Sequence, residues 1–350
     1  MNAEALIRDP VFQLNILLWM AKEQPTADYR VRPLFFELRF RIIYIEQPFP
    51  LPEETASAAQ LSALRINVTP QPELILGREL NGKALYFEAK ADSFSPDSST
   101  SKQARGHLLA AGPAFGEVLA PLTSCLLCYL VPDDRRTLMC ECLTDLANEL
   151  SAEGLEPGSF SCHGLRITER QLTYVFDSTF QSYAGLREAS VPVLELLEDN
   201  TDPNPLLLIY SDEDCPDSNR RDFYRRALIE QVRARLLCDL QTLGIHAEYV
   251  MAADELLLKT TDGTFQYLGR ERQKRLRVLV RENVLKRIRD YWKDKQRGVG
   301  LEANVLRVRW DSAEEKDAFL GWLEDRRVKF EVSRPADEGP TLFDSLPEII

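Results

Sequence analysis

The chain has 350 residues, of which 44% are hydrophobic and 28% are charged, and its formal net charge is −12. This composition is typical of a globular protein and excludes disorder throughout, while the length predicts two domains. The acidic balance argues against a protein that coats nucleic acid indiscriminately. However, residues 270–297 contain twelve Lys or Arg and four Asp or Glu. One basic segment on an otherwise acidic chain indicates a localised anion-binding surface.

The N-terminal segment is predicted to form an ordinary helix, because Asp9 followed by Pro10 is typical of a helix start. The apolar run at residues 11–20 is interrupted by polar residues and is shorter than the roughly 20 residues that span a bilayer. It also lacks the flanks of a secretory signal. We therefore expect a cytoplasmic protein with no membrane partner.

The pattern that follows predicts an α/β domain in which helices flank a mixed sheet. Strands are expected at 32–45, 124–131 and within 160–176, and helices in the later part of 50–64, near 102–120 and near 138–152. Within this region Cys125 and Cys128 form a C-x-x-C, and Cys140 and Cys142 form a C-x-C, which leaves zinc as an alternative. A strand places residues three apart on opposite faces, which favours buried reduced thiols.

The most informative segment is a predicted hairpin. Residues 72–80 and 83–91 are strand-like and are separated by Asn81-Gly82, the preferred pair for a two-residue type I′ turn. Such a turn would place Ile75 opposite Glu88 and Glu73 opposite Lys90. Because side chains alternate along a strand, all four would share one face. Two carboxylates and an amine would then lie side by side.

That arrangement suits the hydrolysis of phosphodiesters. Carboxylates at this separation could both reach a hard cation such as Mg²⁺, for which Mn²⁺ is a substitute. The cation would activate water, and the lysine would orient the water and neutralise phosphate charge. The alternative is a surface Glu–Lys cross-strand bridge with no catalytic role.

Pro72-Glu73, fourteen intervening residues and Glu88-Ala89-Lys90 resemble the PD-(D/E)XK nuclease superfamily, which has the restriction-endonuclease-like fold. The resemblance covers roughly residues 30–177. It implies metal ligation by Glu73 and Glu88, with the carbonyl of Ala89, and a catalytic Lys90. Glu in place of Asp at position 73 shifts the reach of that ligand by one methylene.

RecB-like members of that superfamily carry a glutamine on the following helix, and Gln103 is the matching candidate. Lys102, Arg105 and His107 stand near it, either as phosphate contacts or as part of an exposed helix start. The superfamily also uses an upstream acid. Four residues compete for that role and none is assigned: Glu37, Glu46, Glu53 and Glu54.

A Pro- and Asn-rich acidic stretch predicts a boundary between a nuclease-like domain at 1–190 and an α+β recognition or partner domain at 205–335. The second domain should contain a helix at 218–243, a basic helix at 271–295 and a strand–helix–strand unit at 305–332, before a flexible tail at 336–350. One face of the basic helix is apolar, so its cations must occupy the other face. Either that face is simply solvated, or it binds nucleic acid through Arg272, Lys274, Arg275, Lys286 and Arg289.

Together these features predict a Mg²⁺-dependent (endo)deoxyribonuclease of antiviral defence or DNA processing, the biological setting being an analogy only. RNA remains open as a substrate. No G-x-x-x-x-G-K-[ST] motif occurs, so strand opening would need a helicase, an ATPase or another protein subunit, and a homodimer is a further arrangement. The alternative is a non-catalytic nuclease-like subunit or sensor within a larger defence complex.

Overall fold

The computed structural model describes residues 3–23, 31–169, 171–195, 207–210, 217–293, 301–302 and 305–325. The chain forms two compact units, Met1–Leu206 and Leu207–Ile350. Most of the expected boundary segment and the whole expected tail at 336–350 lie outside the described residues. Within those ranges, none of the helices combines the length and the apolar character needed to cross a membrane.

A seven-stranded mixed sheet organises the first unit, and its strands follow one another across the sheet in chain order. The third strand is parallel to the fourth and the fourth to the fifth, whereas the other neighbours are antiparallel. This confirms the expected α/β architecture. The strands are β1 (Arg41–Ile45), β2 (Leu74–Arg78), β3 (Lys83–Ala89), β4 (Ser124–Pro132), β5 (Phe160–Thr168), β6 (Gln171–Val175) and β7 (Ser190–Glu195).

Helices cover both faces of this sheet. They are α1 (Ala3–Ile7), α2 (Pro10–Ala21), α3 (Leu34–Glu37), α4 (Ala58–Ala63), α5 (Ser99–Ala110), α6 (Ala114–Val118), α7 (Arg136–Ala152) and α8 (Ser178–Ala184). The start of α2 is confirmed, since the Asp9 carboxylate accepts a hydrogen bond of 3.0 Å from the Val11 amide. The strand expected over 32–45 is wrong in its first half, where α3 forms and Phe35 packs on Phe87 with ring centroids 5.2 Å apart.

Alternation along β3 and β4 decides which helices each side chain meets. Tyr86 on β3 and Tyr129 on β4 belong to one buried cluster with residues of α5 and α7. Helix α5 approaches the chain before β2 closely at Gly106, where an added Cβ would lie 2.3 Å from the Asn67 carbonyl oxygen. The glycine is therefore required by the packing, because a larger residue would push α5 away.

The hairpin that joins β2 and β3 differs from the expected one. Arg78 pairs with Lys83 and Ile75 pairs with Tyr86, so the register is shifted by two residues. The predicted pairs Ile75–Glu88 and Glu73–Lys90 are therefore wrong. A shift of two preserves the alternation of faces, so Ile75 and Glu88 still share a face.

The reason for the shift is tertiary. Residues Glu79–Asn81 form a short 3₁₀ turn, and Gly82 closes the loop with a φ of +61°. The Gly82 carbonyl accepts hydrogen bonds of 2.7 Å from the Thr123 amide and 3.0 Å from the Ser124 amide, at the start of β4. The four-residue loop is thus held by the next parallel strand, a constraint that the local Asn-Gly preference does not contain.

The second unit combines helices with a small antiparallel sheet of order β8–β10–β9. The helix expected at 218–243 is confirmed, and the last strand expected in the unit, at 328–332, lies outside the described residues. Its elements are α9 (Ser218–Gln241), β8 (Glu248–Ala252), α10 (Ala253–Thr260), α11 (Arg270–Val280), α12 (Lys286–Lys293), β9 (Leu301–Glu302), β10 (Val305–Arg309) and α13 (Ala313–Glu324).

The expected basic helix is helical from Arg270 to Lys293, and the rest of the range predicted for it lies outside the described residues. A π-helical turn at Arg281–Leu285 joins α11 to α12 without a break. A buried stripe runs the whole length on one side, which confirms that one face of this helix is core. The stripe consists of Leu276, Val280, Val284, Ile288 and Trp292.

Candidate functional site

Glu88 lies near the end of β3, on the face that α5 covers. Its neighbour across the parallel ladder is Tyr129 on β4. Strand alternation puts Glu88 on the same face as Tyr86, and the residue is only 3% exposed. A carboxylate this deeply buried requires compensation by nearby charge or hydrogen bonds.

Lys90 supplies most of that compensation. Its Nζ lies 2.6 Å from Glu88 Oε1, and its side chain is 24% exposed whereas that of Glu88 is 4% exposed. Burial alone would raise the pKa of Glu88, but the Lys90 ammonium and the His107 imidazole lower that pKa from 4.5 to about 2. Glu88 is therefore a buried carboxylate that stays ionised, with an amine between it and solvent.

His107, on α5, approaches the other carboxylate oxygen. Its Nε2 lies 3.5 Å from Glu88 Oε2, an electrostatic contact rather than a well-formed hydrogen bond. Its Nδ1 lies 2.8 Å from the Tyr86 hydroxyl. If the hydroxyl donates to Nδ1, the neutral ring carries its proton on Nε2 and directs it at Glu88. Tyr86 thereby orients His107, and His107 orients Glu88.

Two buried oxygens at this place have no hydrogen-bond partner among the described residues: Glu88 Oε2 and the Tyr129 hydroxyl. Burial, and then the charge of Glu88, raise the pKa of Tyr129 well above 10, so the phenol keeps its proton. A buried, ionised oxygen such as Glu88 Oε2, which has only the 3.5 Å contact with His107 Nε2, is costly unless something else binds it.

Two further acids lie at the same end of neighbouring strands. Ile45, Leu74 and Phe87 are partners in the ladder, and the next residues on their strands are Glu46, Glu73 and Glu88. Adjacent strands are roughly 5 Å apart. The Glu73 carbonyl accepts from the Glu46 amide at 3.1 Å, and the Glu73 amide donates to the Phe87 carbonyl at 3.0 Å. The second bond departs from the regular register by one residue, so Glu73 lies where the ladder becomes irregular.

Of the four competing upstream acids, Glu46 is the one next to Glu73. It is 4% exposed and has a φ of +50°, a left-handed conformation that costs a non-glycine residue about 1 kcal/mol. Such strain is concentrated at functional sites. Glu46, Glu73, Glu88, Lys90 and His107 are called the sheet-end cluster below.

Gln103 and Lys102 are exposed near the start of α5. Gln103 lies four residues before His107, so both lie on one face of the helix, a single turn apart. Both exposed side chains line a cavity of about 390 Å³ that Asn67, Ser99 and Thr100 complete. Gln103 is therefore open to solvent in a cavity whose lining contains no residue of the sheet-end cluster.

Arg105 and His107, predicted as phosphate contacts or as part of an exposed helix start, are both largely buried, although Arg105 lines a cavity with Lys102. Arg105 is 8% exposed, and its guanidinium lies 2.7 Å from Glu149 and 2.9 Å from the Ser101 hydroxyl. His107 is 1% exposed and faces Glu88. Arg105 is thus held by Glu149 and Ser101, and His107 belongs to the sheet-end cluster.

The predicted cations of the basic helix are spread around its exposed side. Lys274 and Glu271 approach to 4.0 Å, Lys286 and Glu282 to 3.4 Å, and Arg289 contacts Asp290. Arg275 is exposed, and Arg272 is half-buried.

Sequence reasoning did not identify the aromatic and imidazole partners of Glu88. The sequence does contain a partial indication of His107, because this residue follows Gln103 by one helical turn on the helix after the Glu-x-Lys strand. Tyr86 and Tyr129 carry no such signal, since buried tyrosines in strands are common. The proximity of Tyr129 to Glu88 follows only from the parallel pairing of β3 with β4, whereas Tyr86 shares the face of Glu88 through alternation along β3.

Cys125 and Cys128 are both buried free thiols on β4, and Cys125 belongs to the cluster on the α5 face. Among the described residues, no three His, Cys, Asp or Glu side chains are grouped so that they could hold a metal ion. No family model, curated protein or solved structure matches this chain.

Proposed function

We propose that the first unit is a metal-dependent nuclease of the restriction-endonuclease-like fold, which hydrolyses phosphodiester bonds of DNA. The observation that carries the proposal is Glu88: a buried carboxylate, ionised, with one oxygen against the Lys90 ammonium and the other without a hydrogen-bond partner among the described residues. The order of elements supports the same assignment. The β2–β3 hairpin is followed by helix α5 and then by β4, which pairs in parallel with β3.

The donor chemistry fits a hard divalent cation. Mg²⁺ prefers oxygen ligands, and Glu88 Oε2 is an anionic oxygen whose contact with His107 Nε2, at 3.5 Å, is too long for a well-formed hydrogen bond. Glu88 would hold the cation, with the Ala89 carbonyl and Glu73 as the further ligands that the resemblance implies. The bound cation would lower the pKa of water and offset charge on the phosphate.

The residues of the chain have distinct roles in this proposal. Lys90 can reach solvent, so its ammonium would bind a phosphate oxygen and neutralise charge as it develops. His107 and Tyr86 hold the Glu88 carboxylate in one orientation, which is a positioning role. Gln103 would hydrogen-bond the substrate from the exposed start of α5.

A second candidate function rests on the same ion pair. Lys90 and Glu88 already satisfy one another at 2.6 Å, as expected of a structural pair at a sheet end. In that case the unit is a non-catalytic nuclease-like subunit that binds nucleic acid or a partner protein.

Cleavage of supercoiled plasmid and of single-stranded DNA, with Mg²⁺ or Mn²⁺, separates the two functions. We expect the wild type to cut, and Glu88→Gln and Lys90→Ala to lose at least about 10²-fold in rate. Glu117→Gln, which removes an exposed carboxylate from α6, is the matched control and should cut normally. Equal cutting by the wild type and both site variants would eliminate the nuclease assignment. No cutting by a folded wild type with either metal would favour the non-catalytic subunit.

A further inference from the structure

The second unit has the connectivity of a winged helix–turn–helix. Its elements run helix, strand, helix, helix, strand, strand, which are α9, β8, α10, the continuous helix formed by α11 and α12, β9 and β10, and α13 follows them. The last strand lies in the centre of the sheet and pairs with both others. In this arrangement α10 and α11 form the helix–turn–helix, α11 takes the place of the recognition helix, and the β9–β10 hairpin takes the place of the wing.

The connection between α10 and α11 is held by side chains of its own. Gln273 on α11 donates from Nε2 to the carbonyl of Leu268 at 3.0 Å and to that of Phe265 at 3.3 Å. The Phe265 amide donates to the Thr261 hydroxyl at 3.0 Å. Arg277 of α11 pairs with Asp254 of α10. These bonds attach α11 to α10 through its inner and lateral sides.

The outer side of α11 remains exposed and carries the charge. Its exposed residues are Arg270, Glu271, Lys274, Arg275 and Val278. On a helix with 100° per residue they lie within an arc of about 140°, opposite the buried Leu276 and Val280. The side chain of Lys274 is 70% exposed. This set of five residues is called the α11 outer face.

The composition of the α11 outer face fits duplex DNA. Three cations complement phosphate, and lysine or arginine is also the usual reader of guanine in the major groove. Val278 is 45% exposed, and an apolar side chain among cations suits the methyl group of thymine. The chain as a whole has a net charge of −12, whereas the α11 outer face carries three cations and one acid. A polyanion would therefore bind at this helix.

We infer that the second unit binds double-stranded DNA by laying the α11 outer face into the major groove. Lys274 and Arg275 contact phosphates or guanine edges there. This inference does not depend on the proposed nuclease activity, because binding needs neither the sheet-end cluster nor a metal ion.

The test is binding of the full-length protein, in EDTA so that no cleavage intervenes, to a fluorescent duplex of about 20 base pairs, two helical turns. The single strand and an RNA duplex of the same sequence are the competing probes. We expect preference for the DNA duplex and a binding constant that falls steeply with salt. The double variant Lys274→Gln/Arg275→Gln should reduce the salt slope by up to about 2 and weaken binding between about 10- and 100-fold near 0.1 M salt.

Two further variants protect the test against loss of folding. Glu271→Gln removes the one acid of the α11 outer face, so it should strengthen binding several-fold, an effect that misfolding cannot produce. Arg235→Gln removes an arginine of α9 that is 46% exposed, and it should leave binding unchanged. Binding that is unaffected by Lys274→Gln/Arg275→Gln, equal weakening by Arg235→Gln, absence of binding, or preference for the single strand or for RNA would each overturn the inference.

Discussion

The two charged regions of this protein solve opposite physical problems. The sheet-end cluster holds a few charges in a buried place, where each must be balanced by a specific neighbour at a fixed distance. The α11 outer face holds cations in solvent, where each is screened and interchangeable. The first kind of region suits chemistry on one bond, and the second suits attraction of an extended polyanion. Substitutions should therefore have large, specific effects in the first region and small, additive effects in the second.

The largest expected effect separates the two regions in one assay. Glu88→Gln should lower the turnover of DNA by about 10²–10³-fold while it leaves the binding constant for the duplex within about twofold. Lys274→Gln/Arg275→Gln should do the reverse, weakening binding with little change in turnover at saturating DNA. Single-turnover rates and binding measured on the same preparations would check this. If either variant lost turnover and DNA binding together, the two regions would not have separate roles.

The next largest effect is expected on acidification, which protonates the buried Glu88 carboxylate and lowers the unfolding free energy. The pKa of Glu88 is about 2 in the folded protein and 4.5 when unperturbed, so its contribution is present above pH 4.5 and is lost as the pH falls towards 2. The wild type should lose roughly 3 kcal/mol more unfolding free energy over that interval than Glu88→Gln, which cannot titrate. Denaturant titrations at a series of pH values would measure the difference, with Glu117→Gln as control. If the unfolding free energy depended on pH identically in the wild type and in Glu88→Gln, the pKa of Glu88 would be the same in the folded and unfolded states.

A smaller effect should reveal that the cluster acts as a unit. His107→Leu leaves the Tyr86 hydroxyl without this partner, and Tyr86→Phe leaves His107 Nδ1 without this partner. Each change should lower the unfolding free energy by about 1–3 kcal/mol. Because the two groups share one hydrogen bond, the double variant should lose less than the sum of the single variants. If the double variant lost the sum of the free energies lost by the two single variants, the hydrogen bond would contribute nothing to orienting His107.

The smallest effect is expected at the α11 outer face. Lys274→Gln should change the unfolding free energy by less than about 0.5 kcal/mol, since the side chain is 70% exposed and its nearest acid is 4.0 Å away. Denaturant unfolding would establish this before any binding experiment. A loss of several kcal/mol would show that Lys274 contributes to the packing of the helix.

The hairpin shows how far local sequence reasoning reaches. Alternating residues identified β2 and β3 and the shared face of Ile75 and Glu88, because these depend on period alone. The register depended on Gly82, whose carbonyl is bound by residues at the start of β4, some forty positions later in the chain. The preference of Asn-Gly for a tight turn was real but weaker than those contacts.

The site shows the same limit at the level of side chains. The motif indicated Glu88 and Lys90, and the structure places their charged groups 2.6 Å apart. His107 was expected on the surface because helix starts rich in polar residues are normally exposed. Its burial follows from the close approach of α5 to the chain at Asn67, which Gly106 permits. The α3 turn likewise forms where aromatic packing of Phe35 outweighs strand propensity.

The π-helical turn at Arg281–Leu285 has a consequence for how the basic helix could change through insertion or deletion. The buried stripe repeats every four residues, and on an ideal α-helix such a repeat drifts by about 40° at each step. One wide turn absorbs the excess, so Leu276 and Trp292 can face the same interior although they lie on separate segments. Because a π-turn holds more residues than an α-turn, deleting a single residue from it would restore a regular α-turn and keep Trp292 facing the interior. The same deletion outside that turn would rotate everything beyond it by about 100°, which would turn the tryptophan outwards. Outside the π-turn, the helix should therefore tolerate exchange of its surface charges far better than a change in its number of residues.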